Sequence, residues 1–142
     1  RLVDQIRPGP NFIPQLALVT FSDDKLIGYI LFSKITITNG DFKYESLGVT
    51  SMVVHPEFQK RGVGAKLLTI GLQKATELGY TDVFVFGHEF YFPKFGFLPA
   101  ARWSIRPPFD VPSEVFMALE LIPNSLKYVS GIVEFPIEFS VI

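Results

Sequence analysis

The sequence predicts an α+β domain, a mixed and mostly antiparallel sheet built around a central parallel β-α-β unit. Three observations predict it. "LGVTSMVV", Leu47 to Val54, is apolar on both alternating faces apart from Thr50 and Ser51, as a strand covered on each side requires. From Gly62 to Leu78, the residues Gly64, Leu67, Leu68, Gly71, Leu72, Ala75 and Leu78 recur at three-and-four spacing, with Lys66, Gln73, Lys74 and Glu77 around the rest of the wheel. "TDVFVFG", Thr81 to Gly87, then reads as a second buried strand, and strand, helix and strand in that order place the two strands parallel through a right-handed crossover.

The remaining elements follow in order. "RLVDQI" at the start has the look of helix. Leu16 to Phe21 and Leu26 to Ile37 flank the polar "SDDK" as a β-hairpin, and "TNGDFKYE" reads as the next turn or loop. The Leu47–Val54 strand stops at His55-Pro56, because proline cannot continue the ladder. Gly79 stands where a left-handed cap closes a helix. "RWSI" and "VFMALEL", separated by "RPPFDVP", predict two more antiparallel strands. The tail from Pro123, with Tyr128, Phe135 and Phe139, is expected to pack back on the domain. Most rings of the set Phe84, Phe86, Phe90, Tyr91, Phe92, Phe95 and Phe97 are expected in the core, while Trp103 and Phe109 suit a packed surface loop or an acceptor-site wall.

Composition narrows the function classes. With 142 residues, 48% of them hydrophobic, the chain has the material for one domain with a real core. Thirteen basic against fourteen acidic residues leave a formal charge of −1, so no global field draws the protein to nucleic acid or an anionic membrane. The lack of cysteine excludes disulfides, thiolate metal sites and a cysteine nucleophile, and two histidines leave few ligands for zinc, so no metal site is expected. No apolar run approaches the roughly 18 residues of a membrane span, and a soluble, cytoplasmic protein is expected.

The chemistry concentrates in "HPEFQKRGVGAKLL", His55 to Leu68. The first four amides of a helix have no partner inside it, and with the helix dipole they form a local anion site. Gly62 and Gly64 would let a bulky group approach that backbone, Lys60 and Arg61 add charge, and a diphosphate is the natural ligand. The plainer alternative is that Gly62 permits a turn conformation and Gly64 permits close packing on the sheet. A nucleotide-phosphate enzyme fits less well, because no Gly-Lys-Ser/Thr follows the turn.

Taken with its surroundings, this segment resembles the GCN5-related N-acetyltransferase (GNAT) superfamily. Gln59, Gly62 and Gly64 match its acetyl-CoA motif Gln/Arg-x-x-Gly-x-Gly/Ala, "FGF" stands where the family has its "GF", and the likeness runs from Gln15 to Leu121. "GHEFYFPKFGFLPA" and "VPSEVFMALEL" are similar to the small YhbS-like bacterial members. The resemblance implies the acyl-CoA N-acyltransferase fold over a single domain, residues 1–142. It also implies that the family's N-terminal strand and helix are missing, "RLVDQI" being the end of a second helix. Acetyl-CoA would be the cosubstrate, held by Gln59 and the amides of Lys60, Arg61, Gly62, Val63, Gly64 and Ala65. The strand edge at Met52, Val53 and Val54 would pair with the pantetheine arm, and an amide there, that of Met52, would polarise the thioester carbonyl.

The catalytic pattern is less complete. Many relatives carry an acid on the strand before the motif, where this chain has Thr50 and Ser51. Glu45, His88 and Glu89 are the alternative bases, the last two favoured because they follow the second parallel strand. The tyrosine that many relatives place four residues before the glycine of "GF" is here Phe92, leaving Tyr91 or solvent to protonate the departing thiolate. The activity implied is transfer of an acetyl group to a primary amine of a small-molecule or peptide acceptor by direct attack on the thioester. The alternative is a CoA-binding sensor that has lost turnover. An edge strand in the C-terminal half would allow a homodimer.

Overall fold

The computed structural model describes residues 12–87 and 90–134; "RLVDQI", His88, Glu89, Phe135 and Phe139 lie outside them. The strands are β1 (Phe12–Ser22), β2 (Lys25–Asn39), β3 (Phe42–Val54), β4 (Asp82–Phe86), β5 (Leu98–Pro99), β6 (Ile105–Arg106), β7 (Phe116–Glu120) and β8 (Gly131–Glu134). One α-helix, α1 (Val63–Glu77), connects β3 to β4.

These strands form one mixed eight-stranded sheet in the order β5-β7-β4-β3-β2-β8-β6, with β1 also paired to β2. Of the pairings, β3–β4 and β6–β8 are parallel and the others antiparallel. β2 is the backbone of the sheet. One of its edges pairs with β3 from Gly28 to Asn39, while the other takes β1 up to Ser33 and β8 at Thr36 to Thr38.

Two tight turns set the register of the first three strands. Asp23 and Asp24 both have positive φ, 51° and 66°, as a two-residue type I′ hairpin demands. In the second hairpin Asn39 pairs with Phe42, so Gly40 and Asp41 alone form the turn. The rest of "TNGDFKYE" is strand, correcting the loop expectation: its polarity reflects solvent at that end of the hairpin, where Asn39 to Lys43 are exposed.

The helix begins at Val63 and ends as its sequence predicts. Tyr80 N–H donates to Ala75 O at 3.0 Å and Gly79 N–H to Thr76 O at 3.1 Å, a complete Schellman cap with Gly79 at φ +94°. Its apolar face, with Leu67, Leu68 and Ala75, packs on Ile30, Phe32, Leu47, Val49, Val83, Val85, Phe97 and Met117. Strand alternation sends Ile35, Ile37, Phe84, Phe116 and Ala118 to the other face, where Ile105, Leu126, Val129 and Val133 cover them. Both faces of β4 are therefore buried, as its unbroken apolar run requires.

The C-terminal third departs from expectation. Arg102 and Trp103 belong to a short 3-10 turn, and of the "RWSI" segment only Ile105 forms strand, together with Arg106 after it. That strand pairs parallel with β8, because Ser104 at φ +59° turns the chain and Pro107 ends the ladder. The tail does return to the domain, but through Leu126, Val129 and Val133, with Tyr128 left 87% exposed.

Candidate active site

The site grows from a disagreement between β3 and β4. They pair only at Leu47↔Val83 and Gly48↔Phe84, although β3 runs on to Val54 and β4 to Phe86. At that point the β2–β3 register shifts, so that Leu31 faces Ser51 and Phe32 faces Val49, leaving Thr50 as the extra residue of a bulge. A bulge bends its strand, and β3 leaves β4 there, opening a wedge.

Beyond the bulge β3 presents a backbone edge that β4 does not pair with. His55 N–H donates to Ile27 O at 2.7 Å, toward β2. By the two-residue alternation of a strand, the peptide groups of Val53 also face β2, and those of Met52 and Val54 face the wedge. Consistent with this, Val54 O accepts a hydrogen bond from Gln59 Nε2 at 3.1 Å.

Between β3 and α1 the chain makes a tight anion-shaped turn. Pro56–Phe58 is one 3-10 turn, started by Glu57 N–H donating to His55 Nδ1 at 3.1 Å. Lys60 at φ +65° and Gly62 at φ +78° are left-handed, an alternation that points successive amides to one side. Gly62 is therefore required by its conformation, since a Cβ there would meet nothing within 4 Å. Gly64 is favoured by close approach: its Cβ would lie 3.3 Å from Tyr91 Oη and 3.5 Å from Val54 Cγ2.

No N–H from Lys60 to Ala65 has a hydrogen-bond partner among the described residues, and the first helical bond is Lys66 N–H to Gly62 O at 3.0 Å. A cavity of about 580 Å³ lies against them, lined by Met52, Val54, Phe58, Gln59, Lys60, Gly62, Val63, Gly64, Ala65 and Tyr91. Of the residues expected to hold a cofactor, Val53 and Arg61 are outside this lining. Val53 points to the opposite face, 43% exposed, and the Arg61 guanidinium lies 5.5 Å from the Phe58 ring centroid. Phe58 escaped the sequence reading, its only signal being its place beside the motif.

Tyr91 and Phe92 go separate ways. The Phe92 ring is buried against Phe97 and against Gly87, where even a Cβ would collide with it. Tyr91 turns its hydroxyl into the cavity, and burial pushes that phenol above its ordinary value of 10. The other polar candidates are placed differently. Thr50 Oγ1 donates to the buried Ser33 Oγ at 2.9 Å. Glu45 pairs opposite Thr36 near Tyr80, toward the other end of β3. No carboxylate of the described residues lines the cavity, and none of their His, Cys, Asp and Glu side chains form a cluster able to hold a metal.

A mixed sheet whose central parallel strands splay beside the bare N-terminus of their crossover helix defines the acyl-CoA N-acyltransferase fold. The Acetyltransferase (GNAT) family model matches residues 5–97, and the chain belongs to that family. It is similar to two uncharacterized N-acetyltransferases of Escherichia coli: YjhQ, 34% identical over 115 residues, and YhbS, 28% identical over 140. The first alignment spans 80% of this chain and 63% of YjhQ, under two thirds of that relative's length; the second spans 99% and 82%. The crystal structure of Escherichia coli YhbS in complex with CoA superposes with a TM-score of 0.87 at 27% identity, covering 97% of this chain and 75% of that one. A GNAT family acetyltransferase from Brucella melitensis, in complex with acetyl-CoA, gives 0.75 at 26% identity, over 98% and 76%.

Proposed function

We propose that this chain moves an acetyl group from acetyl-CoA to a primary amine of a small-molecule or peptide acceptor, by direct attack on the thioester. The observation that carries the reading is the row of unpartnered amides from Lys60 to Ala65 beside a cavity shared with the edge of β3 that β4 does not pair with. Those donors fit a diphosphate, and the wedge-facing peptides of Met52 and Val54 fit an extended amide-bearing arm. Solved relatives hold CoA or acetyl-CoA, which supports the same reading.

Acetyl-CoA, when bound, supplies an activated thioester carbonyl. Lys60 to Ala65 hold the diphosphate through their N–H groups, with the Lys60 side chain adding positive charge. The Met52 N–H, directed into the wedge, is the donor for oxygen charge that develops during the attack. Tyr91, a phenol that carries its proton at physiological pH and that burial disfavours further from ionising, supplies a proton at Oη to the leaving thiolate. An amine of ordinary pKa near 10.4 must lose a proton before it attacks, and His88 and Glu89, which follow β4, are the groups proposed to take it.

Calorimetry with acetyl-CoA and CoA, followed by thiol release over a panel of amines, tests the assignment. Saturable binding with acceptor-dependent release is expected. Binding with no release from any amine would favour the sensor reading, which the burial of Phe92 at the usual acid position supports. Absence of binding would remove both.

A further inference from the structure

Asp82 opens β4 at the end of the wedge away from the cavity, with no exposed surface. None of the chemistry above uses it. Hydroxyls hold its carboxylate: Tyr44 Oη donates to Oδ2 at 2.6 Å, Thr81 Oγ1 donates to the same oxygen at 3.0 Å, and Ser46 Oγ donates to Oδ1. Ser46 Oγ also lies 3.1 Å from the Asp82 carbonyl oxygen, and Tyr44 Oη lies 2.9 Å from Thr81 Oγ1.

Burying a carboxylate is unfavourable unless hydrogen bonds to its charged form compensate. This one is compensated from a specific direction. Tyr44 and Ser46 are alternate residues on one face of β3, and Asp82 stands immediately before the two ladder pairs, Leu47↔Val83 and Gly48↔Phe84, that are all the β3–β4 junction has. The bulge at Thr50 pulls β3 away just beyond those pairs. Two pairs of a parallel ladder are a weak joint against that bend. The carboxylate ties the strands together at the apex.

The apex matters because the two sides of the cavity come from the two strands. Met52 and Val54 are on β3, while Tyr91 is on the segment that follows β4. Met52 lies four residues past Gly48, about 13 Å at roughly 3.3 Å per residue, so a tilt of about five degrees at the apex moves it by about 1 Å. A displacement of that size is enough to spoil reacting geometry. We propose that Asp82 is a positioning residue: by gripping Tyr44 and Ser46 it fixes the closed end of the β3–β4 wedge and sets the width of the cleft at the other end. The role assigned to that width rests on the acyl-CoA reading above; the clamp itself does not.

The test compares Tyr44→Phe and Ser46→Ala, alone and with Asp82→Asn, against Leu126→Ala. Leu126 is wholly buried in the core that Tyr44 also borders, but it takes no part in the hydroxyl network on Asp82 and does not line the cavity, so it serves as a control for lost stability. Hydrogen exchange on the ligand-free proteins, at equal distance below each melting temperature, is expected to be about tenfold faster at residues 47–49 and 83–85 in the clamp variants than in the control, with α1 unchanged. Calorimetry is expected to show acetyl-CoA binding weakened about five- to tenfold by Tyr44→Phe in the native background and by less than about twofold once Asp82 is Asn, the coupling a shared network predicts. Exchange that rises uniformly, as in the control, would overturn the proposal. Failure of the native protein to bind acetyl-CoA would refute the acyl-CoA reading, and the exchange comparison would still decide the clamp.

Discussion

The two ends of the β3-α1-β4 unit treat their polar groups in opposite ways. At one end the helix closes with a Schellman cap, the strands are paired, and the Asp82 carboxylate is satisfied by three hydroxyls. At the other the helix opens on unpartnered amides, the strands have parted, and Met52 and Val54 turn their peptides to a cavity. Backbone groups left unpaired are costly only where they are buried from water or ligand. The contrast teaches that the closed end serves stability, while the open end leaves its donors facing a cavity.

The largest effect should come from exchanging the roles of two left-handed glycines. Gly62→Ala has room for its methyl group but must hold φ +78°, at a cost of about 1 kcal/mol or more. The turn is expected to relax and scatter the amides, weakening CoA binding by about a hundredfold, because the site's donors act only together. Gly79→Ala, at φ +94°, should lower stability by about 1 kcal/mol and leave CoA binding intact. Calorimetry and thermal melts on the pair check this; equal losses of affinity would mean that the two ends are not functionally distinct.

Tyr91→Phe probes the open end with its architecture kept. If the hydroxyl protonates the leaving thiolate, kcat should fall about tenfold with KM for acetyl-CoA within twofold, a modest loss because a thiol of pKa near 8.5 departs with little help. Burial raises the phenol, so the alkaline decline of the native rate should set in at higher pH than an ordinary phenol would give, and the variant should lack that limb. A kcat unaffected by the substitution would return the proton to solvent.

The division between the ends also explains what the sequence disclosed. The buried runs of β3 and β4, the helix and the Gln59–Gly62–Gly64 motif are local patterns, and the structure places the helix within a residue of its expected span. Strands β5, β6 and β8 are two to four residues long, too short for any period to register. Tyr91 could not be separated from Phe92 by counting, because what distinguishes them is a tertiary contact, the seating of the Phe92 ring on the bare surface of Gly87. Asp82 read as one polar residue at the edge of an apolar run, since Tyr44 is 38 positions away.

A smaller effect belongs to the closed end. The Tyr44 phenol is pushed up to about 12, first by burial and then by its bond to Asp82. The folded protein thus keeps that proton from pH 10 to about 12, while an unfolded chain, ionising near 10, gives it up. The phenol's contribution to stability is whole below pH 10 and disappears as pH rises toward 12. Tyr44→Phe should flatten that part of the stability curve in alkaline denaturation series while lowering stability at neutral pH, where the Asp82 oxygen loses a donor.

The smallest effect should come from the ion pair that joins the turn of the first hairpin to the open end. Lys25 Nζ donates to Glu57 Oε1 at 3.1 Å, tying the β1–β2 turn to the segment that leads into the glycine turn. The bond and charge of Lys25 lower the Glu57 carboxyl below its ordinary 4.5, so whatever the pair adds is present above that value and is lost as pH falls through the depressed one. Both side chains are largely in water, where such pairs contribute little. The glycine turn has its own anchors in His55 Nδ1 and in Gln59 Nε2 on Val54 O. Lys25→Ala is therefore expected to leave CoA affinity within about twofold and the melting temperature within about 1 °C. A larger loss of affinity than of stability would show that the hairpin, and not the turn's internal bonds, holds the amides in their row.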